Sequence, residues 1–344
     1  MRNGIKASLC AFIGSAACLS LPSQAQDVTL KFHLFNPAAT PVVQQVLKPW
    51  NEKVMADSGG RIKIEMYPSM GLGGKPPELI NQIRDGVADI TFTVPTFTPG
   101  RFPRTSVFEL PTITADAVTL ARALGDFYPR YLRDTEYKDF HMLGIWASVG
   151  NGVHSIKPIQ SAGDLKGLKI RGTGEPQVLF LQAVGAIPLA MPITEVPQAL
   201  SRGVIDATLL PYEILPAYKI DEMTKYSVTL DGGRRFVGGT FIFFMNKRRY
   251  EQLPADLKKV IDANSGVELA VKAARSWIEF EKKGEDAVRA RGNKIVALSK
   301  ADSERVEKMS LPAIDKWVAD MKSNGIDGAE LVSAARAAIA KNQK

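Results

Sequence analysis

The chain alternates short segments of two-residue hydrophobic period with longer segments of helical period. Val28 to Phe35 alternates apolar and polar side chains and predicts a strand. After Pro41, apolar residues fall at Val42, Val43, Val46, Leu47, Trp50 and Val54. That is the i, i+3, i+4 spacing of a helix with one buried stripe. Gly59-Gly60 closes it, and Arg61 to Tyr67 alternates again as a strand. Pro76 and Pro77 open a short helix that Gly86 stops, and Ala88 to Val94 reads as a third strand. Strand–helix–strand units of this length predict a parallel, right-handed α/β sheet.

A second block of the same kind starts near Gly150. Short strands are predicted over Leu168–Arg171, Pro188–Met191 and Val204–Leu210, with helices over Glu175–Val184 and Glu195–Ser201. Thr240 to Met245 is an uninterrupted apolar run, as expected of a strand covered on both faces. Beyond Pro254 the pattern is mostly helical, with one long helix over Asp256–Arg291, a brief strand over Lys294–Leu298 and two further helices to about Ala340. The fold class is α/β, with two lobes joined by strands that cross between them. A length of 344 residues suits two such units, because single cores stop growing at about 250–300 residues. The expected limits are 26–149 plus about 238–270 for lobe I, 150–237 plus about 271–325 for lobe II, and a C-terminal helix over 326–344.

The first residues follow a different pattern. Arg2 and Lys6 precede a run of small and apolar residues from Ala7 to Leu21, and Ser23-Gln24-Ala25 offers small residues at a cleavage site. This predicts a secretory signal peptide over 1–25 and a periplasmic location. Its removal leaves 319 residues, takes two basic and no acidic residues, and lowers the net charge from +8 to +6. Both cysteines, Cys10 and Cys18, leave with it, so the mature chain has no disulfide and depends on its core. No later apolar run approaches the roughly 18 residues of a membrane span.

Several chemistries lack their motifs. Gly71-Leu72-Gly73-Gly74-Lys75 has neither the spacing of a phosphate-binding loop nor that of a dinucleotide fingerprint, and Pro76 follows the lysine. There is no HExxH metal pair and no GxSxG nucleophile elbow. The three histidines are widely spaced, so neither a metal nor another cofactor is expected. Lys247-Arg248-Arg249 reads as a solvated turn at a strand end, not as a nucleic-acid patch.

Arg171 ends the predicted strand Lys169-Ile170-Arg171. In an α/β sheet the carboxyl end of a strand faces the ligand crevice, and a guanidinium fork suits a carboxylate. Five segments around and beyond it carry a resemblance: residues 58–92, 100–111, 164–172 (DLKGLKIRG), 184–213 and 244–262. In this order they resemble the solute-binding proteins of tripartite ATP-independent periplasmic (TRAP) transporters, the DctP-type family. The resemblance implies two lobes around a cleft, crossing hinge strands, a long helix spanning both lobes, and membrane permease subunits as partners. It also implies that the arginine of the KIR motif, here Arg171, binds the ligand carboxylate.

Members that bind sialic acid or C4-dicarboxylates often carry a second arginine after the hinge and an asparagine near the strand end matching 206–211. Here those places hold Gly150-Asn151-Gly152-Val153-His154 and Leu209-Leu210. The expected ligand is therefore an aromatic or otherwise apolar monocarboxylate. A C4-dicarboxylate or a 2-oxo or hydroxy acid is the alternative within the family. An exported α/β enzyme or a ligand-sensing protein is the alternative outside it. Candidate contacts beside Arg171 are Asn151 and His154 for a second polar group, with Gly150 and Gly152 letting backbone approach the ligand. Phe97, Leu210, Tyr212 and Phe241 are candidates for an apolar wall, and His33 and Asn36 for the wall facing it. Glu213, next to Tyr212, is a candidate partner for a basic residue or for a ligand hydroxyl.

Overall fold

The computed structural model describes residues 28–343, so the expected signal segment lies outside the described residues. The first sheet gathers β1 (Val28–Leu34), β2 (Ile62–Tyr67), β3 (Ile90–Thr93) and β4 (Phe140–Ala147). The second gathers β5 (Gly152–Ser155), β6 (Lys169–Gly172), β7 (Ile187–Ala190), β8 (Ala207–Leu210) and β9 (Tyr226–Thr229). β10 (Thr240–Asn246) then returns to the first sheet, and β11 (Lys294–Ala297) joins the second. The orders are β2-β1-β3-β10-β4 and β11-β9-β5-β8-β6-β7. These are two α/β lobes, as the periodicity predicts.

The sheets are not purely parallel. β10 runs antiparallel to β3 and β4, and β5 runs antiparallel to β8 and β9. The reason is the crossing. A chain that enters a lobe through the hinge runs away from the cleft, whereas the other strands run toward it. The carboxyl ends of the remaining strands therefore all face the cleft, where α/β ligands bind.

The crossing segments pair with each other. Ser148 N–H donates to Gly239 O at 2.9 Å, Asn151 N–H to Val237 O at 3.0 Å, and Phe236 N–H to Asn151 O at 2.9 Å. Gly150 has φ +109°, and a Cβ there would stand 2.6 Å from the Phe236 carbonyl oxygen. The residue that Gly150 admits is thus the return strand, not a ligand, which corrects the expectation above.

β10 explains its own apolar run. Phe243 and Met245 face one core layer of the first lobe, while Ile242 and Phe244 face the other. The predicted helix over Asp256–Arg291 is two helices, Ala255–Ala263 and Val267–Ala290. The break falls at Gly266, whose φ of +86° ends helical geometry and whose N–H bonds Leu143 O. Trp277 and Phe280 of the longer helix pack in the first lobe's core, and Val288 packs with residues of the second lobe. Gly284 lets this helix touch the second lobe, because a Cβ there would lie 2.4 Å from Tyr212 O. A second helix, Lys300–Ser323, also spans: Val306 packs in the second lobe and Trp317 in the first, where its Nε1–H bonds Ser106 Oγ at 3.0 Å. Among the described residues no helix is long and apolar enough to cross a membrane.

Candidate functional site

Between the lobes lies a small cavity of about 60 Å³. Strand ends build it. Phe35 and Asn36 follow β1, Val94, Thr96 and Phe97 follow β3, Arg171 and Thr173 lie at the end of β6, and Leu210, Pro211, Glu213 and Ile214 lie at the end of β8 and just after it. Phe241 at the start of β10 and Trp277 on the long helix complete it. The walls are aromatic. Phe35 and Phe97 meet edge to face at 5.2 Å, and Phe241 lies 5.7 Å from Phe92 and 4.6 Å from Trp277.

Arg171 is 1% exposed. Its Nε–H donates to Met191 O at 2.9 Å and its Nη1–H to Leu209 O at 3.2 Å, which fixes the plane of the guanidinium. Among the described residues no acidic side chain pairs with it, and burial alone pushes its pKa down to about 9. A buried guanidinium oriented by two neutral carbonyls is a site prepared for an anion. It is also the cavity's single basic residue.

Residues 32–320 match the model of the bacterial extracellular solute-binding protein, family 7. The chain belongs to this family. A TRAP solute-binding protein from Rhodoferax ferrireducens, solved with copurified benzoate, is 40% identical, with 92% of this chain and 98% of that one covered and a TM-score of 0.89. A marine metagenome TRAP protein specific for aromatic acid ligands, solved with 3-hydroxybenzoate, is 39% identical, with 93% and 100% covered and a TM-score of 0.90. One from Bordetella bronchiseptica with bound mandelate is 28% identical, with 91% and 99% covered and a TM-score of 0.82. The chain is thus a periplasmic TRAP solute-binding protein, which takes a small carboxylate and works with membrane permease subunits.

In this solute-binding protein seven of the ten candidate side chains line one cavity: Arg171, Asn151, Phe97, Leu210, Phe241, Asn36 and Glu213. His33, His154 and Tyr212 stand outside it. His33 accepts from Leu72 N–H at Nε2 and meets Gln82 Oε1 at 2.7 Å through Nδ1, so it ties the loop after β2 to β1. His154 donates from Nε2 to Leu210 O at 3.0 Å and accepts from Ser227 Oγ at Nδ1, 2.9 Å away. Burial pushes its pKa down to about 3, so the ring is neutral and supports the wall from behind. Tyr212 lies under Arg235, whose guanidinium carbon is 4.4 Å from the ring centroid.

Asn151 reaches the cavity, yet its Nδ2 is committed to Val237 O at 2.9 Å. Gln177 donates to Gly238 O and accepts from Thr173 N–H, and Ser148 Oγ accepts from Gly239 N–H. These three polar side chains are held by the hinge and by the end of β6. Gln177, Ser148, Phe35, Phe92 and Trp277 were not singled out from the sequence. Phe35 alone carried a signal, as the neighbour of Asn36 at a strand end. Trp277 sits in an ordinary helical stripe.

Beside the hinge, Glu109 is fully buried and accepts from Thr240 N–H at 3.0 Å through Oε1. Burial pushes its pKa up to about 8 from an ordinary 4.5. The folded protein keeps this carboxyl neutral where the unfolded chain has ionised it. Its contribution to stability is full below about pH 4.5 and is lost as pH rises toward 8. His154 acts oppositely: its contribution is full above about pH 6.5 and is lost as pH falls toward 3. Glu109→Gln keeps the bond to Thr240 and removes the titration. The variant is expected to lose about 3 kcal/mol less stability than wild type between pH 5 and 8. Denaturant unfolding at the two pH values reads this directly, and equal losses in both proteins would refute it.

Proposed function

We propose that the protein captures an aromatic monocarboxylate in the interlobe cavity and releases it unchanged to its permease. The carrying observation is Arg171, the lone cation buried in a cavity walled mainly by aromatic and aliphatic side chains, with a few neutral polar ones beside them. One cation matches one carboxylate. A C4-dicarboxylate would bring a second negative charge for which the cavity holds no cation, and burying it unpaired is costly. The relatives point the same way, with benzoate, 3-hydroxybenzoate and mandelate named as their ligands. Entry through the open cleft, pairing at Arg171 and hinge closure over the ring account for the geometry. Closure excludes water and strengthens the pair.

A thermal-shift screen tests this. Benzoates and phenylacetates at about a hundredfold excess over Kd are expected to raise the melting temperature by about 5 °C or more. Succinate or malate is expected to leave it unchanged. A shift with the dicarboxylates and none with the aromatic acids would overturn the ligand class, and chemical conversion of a bound acid would overturn release unchanged.

A further inference from the structure

The hydrogen-bonding atoms of the cavity divide into two sets. One set is spent on the protein itself, as with Gln177, Ser148 and the amide nitrogen of Asn151. The other has no partner. Glu213 Oε2, Asn36 Oδ1, Thr96 Oγ1 and the indole Nε1–H of Trp277 are buried atoms of cavity-lining residues and bond nothing in the protein. Glu213 is 5% exposed and Asn36 3%. Orphaned buried polar atoms are costly unless a ligand satisfies them.

Arg171 and Trp277 are donors and suit the oxygens of a carboxylate. Glu213 and Asn36 present oxygens, which a carboxylate cannot satisfy. Glu213 also lacks a cation. The nearby Arg235 pairs with Glu281 at 3.9 Å and Glu285 at 3.4 Å, and Glu281 Oε1 is taken up by the Glu213 N–H at 3.2 Å. Burial, reinforced by the Glu281 charge, raises the Glu213 pKa well above the usual carboxylate range. Glu213 is therefore a neutral acid that can both donate and accept. A ligand group meeting such an acid and an amide oxygen must donate to the amide, and a hydroxyl can do so while accepting from the acid.

We propose that Glu213 on the second lobe and Asn36 on the first together receive a hydroxyl, so that the ligand is a hydroxy-substituted aromatic acid with its carboxylate on Arg171. This rests on the aromatic-acid reading above and adds the second polar point that the reading leaves open. Because the two residues come from different lobes, the hydroxyl joins them and favours the closed cleft.

Titration calorimetry with benzoate, 3-hydroxybenzoate and 4-hydroxybenzoate tests it. In wild type at least one hydroxy acid is expected to bind about tenfold or more tightly than benzoate, since a site built for a hydroxyl discriminates against the analogue lacking it. In Glu213→Leu that ratio is expected to fall to about one, with Asn36→Ala lowering it in the same direction. Glu213→Gln, which keeps a donor and an acceptor, is expected to retain part of the preference. Benzoate binding as tightly as both hydroxy acids in wild type would overturn the hydroxyl subsite while leaving the aromatic-acid reading standing. An unchanged ratio in a folded Glu213→Leu protein would overturn the role of Glu213. If no aromatic acid bound wild type, both readings would fall. The wild-type ratio needs no variant, so the test survives a Glu213→Leu protein that does not fold.

Discussion

Arg171→Ala is expected to weaken binding of the aromatic acid at least about a hundredfold. In wild type the carboxylate gives up water for a guanidinium already held in plane by Met191 O and Leu209 O. Without the cation it would be buried unpaired in an aromatic cavity, at about 3–5 kcal/mol. That converts to a factor of roughly 150 to 4,000 in Kd. Arg171→Lys keeps the charge and loses the fork, so an intermediate loss is expected. Titration calorimetry measures both, and circular dichroism checks that the variants fold. Affinity within threefold of wild type for Arg171→Ala would remove Arg171 from the site.

Gly174→Ala is expected to weaken binding by about tenfold or more through closure and not through contact. Gly174 follows β6 in the second lobe, and Thr96 follows β3 in the first. A Cβ at Gly174 would stand 2.4 Å from Thr96 Cβ and 2.9 Å from Thr96 O. The backbone there is extended, with φ −162° and ψ −167°, so alanine adopts it without strain and the whole penalty is the interlobe clash. Overpacking of this kind costs about 1–3 kcal/mol. Here the lobes avoid it by staying apart, so the cost falls on the closed, liganded state. Thr96→Gly removes the closer collision and leaves the one with the carbonyl oxygen at 2.9 Å, so the double variant is expected to recover part of the affinity. Recovery absent in the double variant, or a single variant binding within twofold of wild type, would show that this contact does not limit closure.

The two effects differ in how visible their causes are along the chain. Arg171 is legible because a strand end and a basic residue coincide in one short motif, and strand ends face the crevice in this class of fold. The pairing of Gly174 with Thr96 is not legible, since nothing in either segment records the other's position. The histidines show the same limit from the opposite side. His33 and His154 sit at or near strand ends and read as ligand contacts, yet both spend their ring nitrogens inside the protein. Tyr212 follows β8 just as Leu210 closes it, but its ring turns beneath Arg235 and not into the cavity.

The two α/β lobes, the doubly covered strand β10, the family and the one cation of the site can all be read along the chain. Each follows from local order: the period of apolar residues states which faces are buried, and a motif states which residues are near neighbours. The tertiary structure decided the antiparallel entry strands, the division of one predicted helix at Gly266, and which polar atoms of the cavity remain unspent. Those depend on distances between residues far apart in the chain, and a hydrogen bond already made is indistinguishable in sequence from one still to be offered to a ligand.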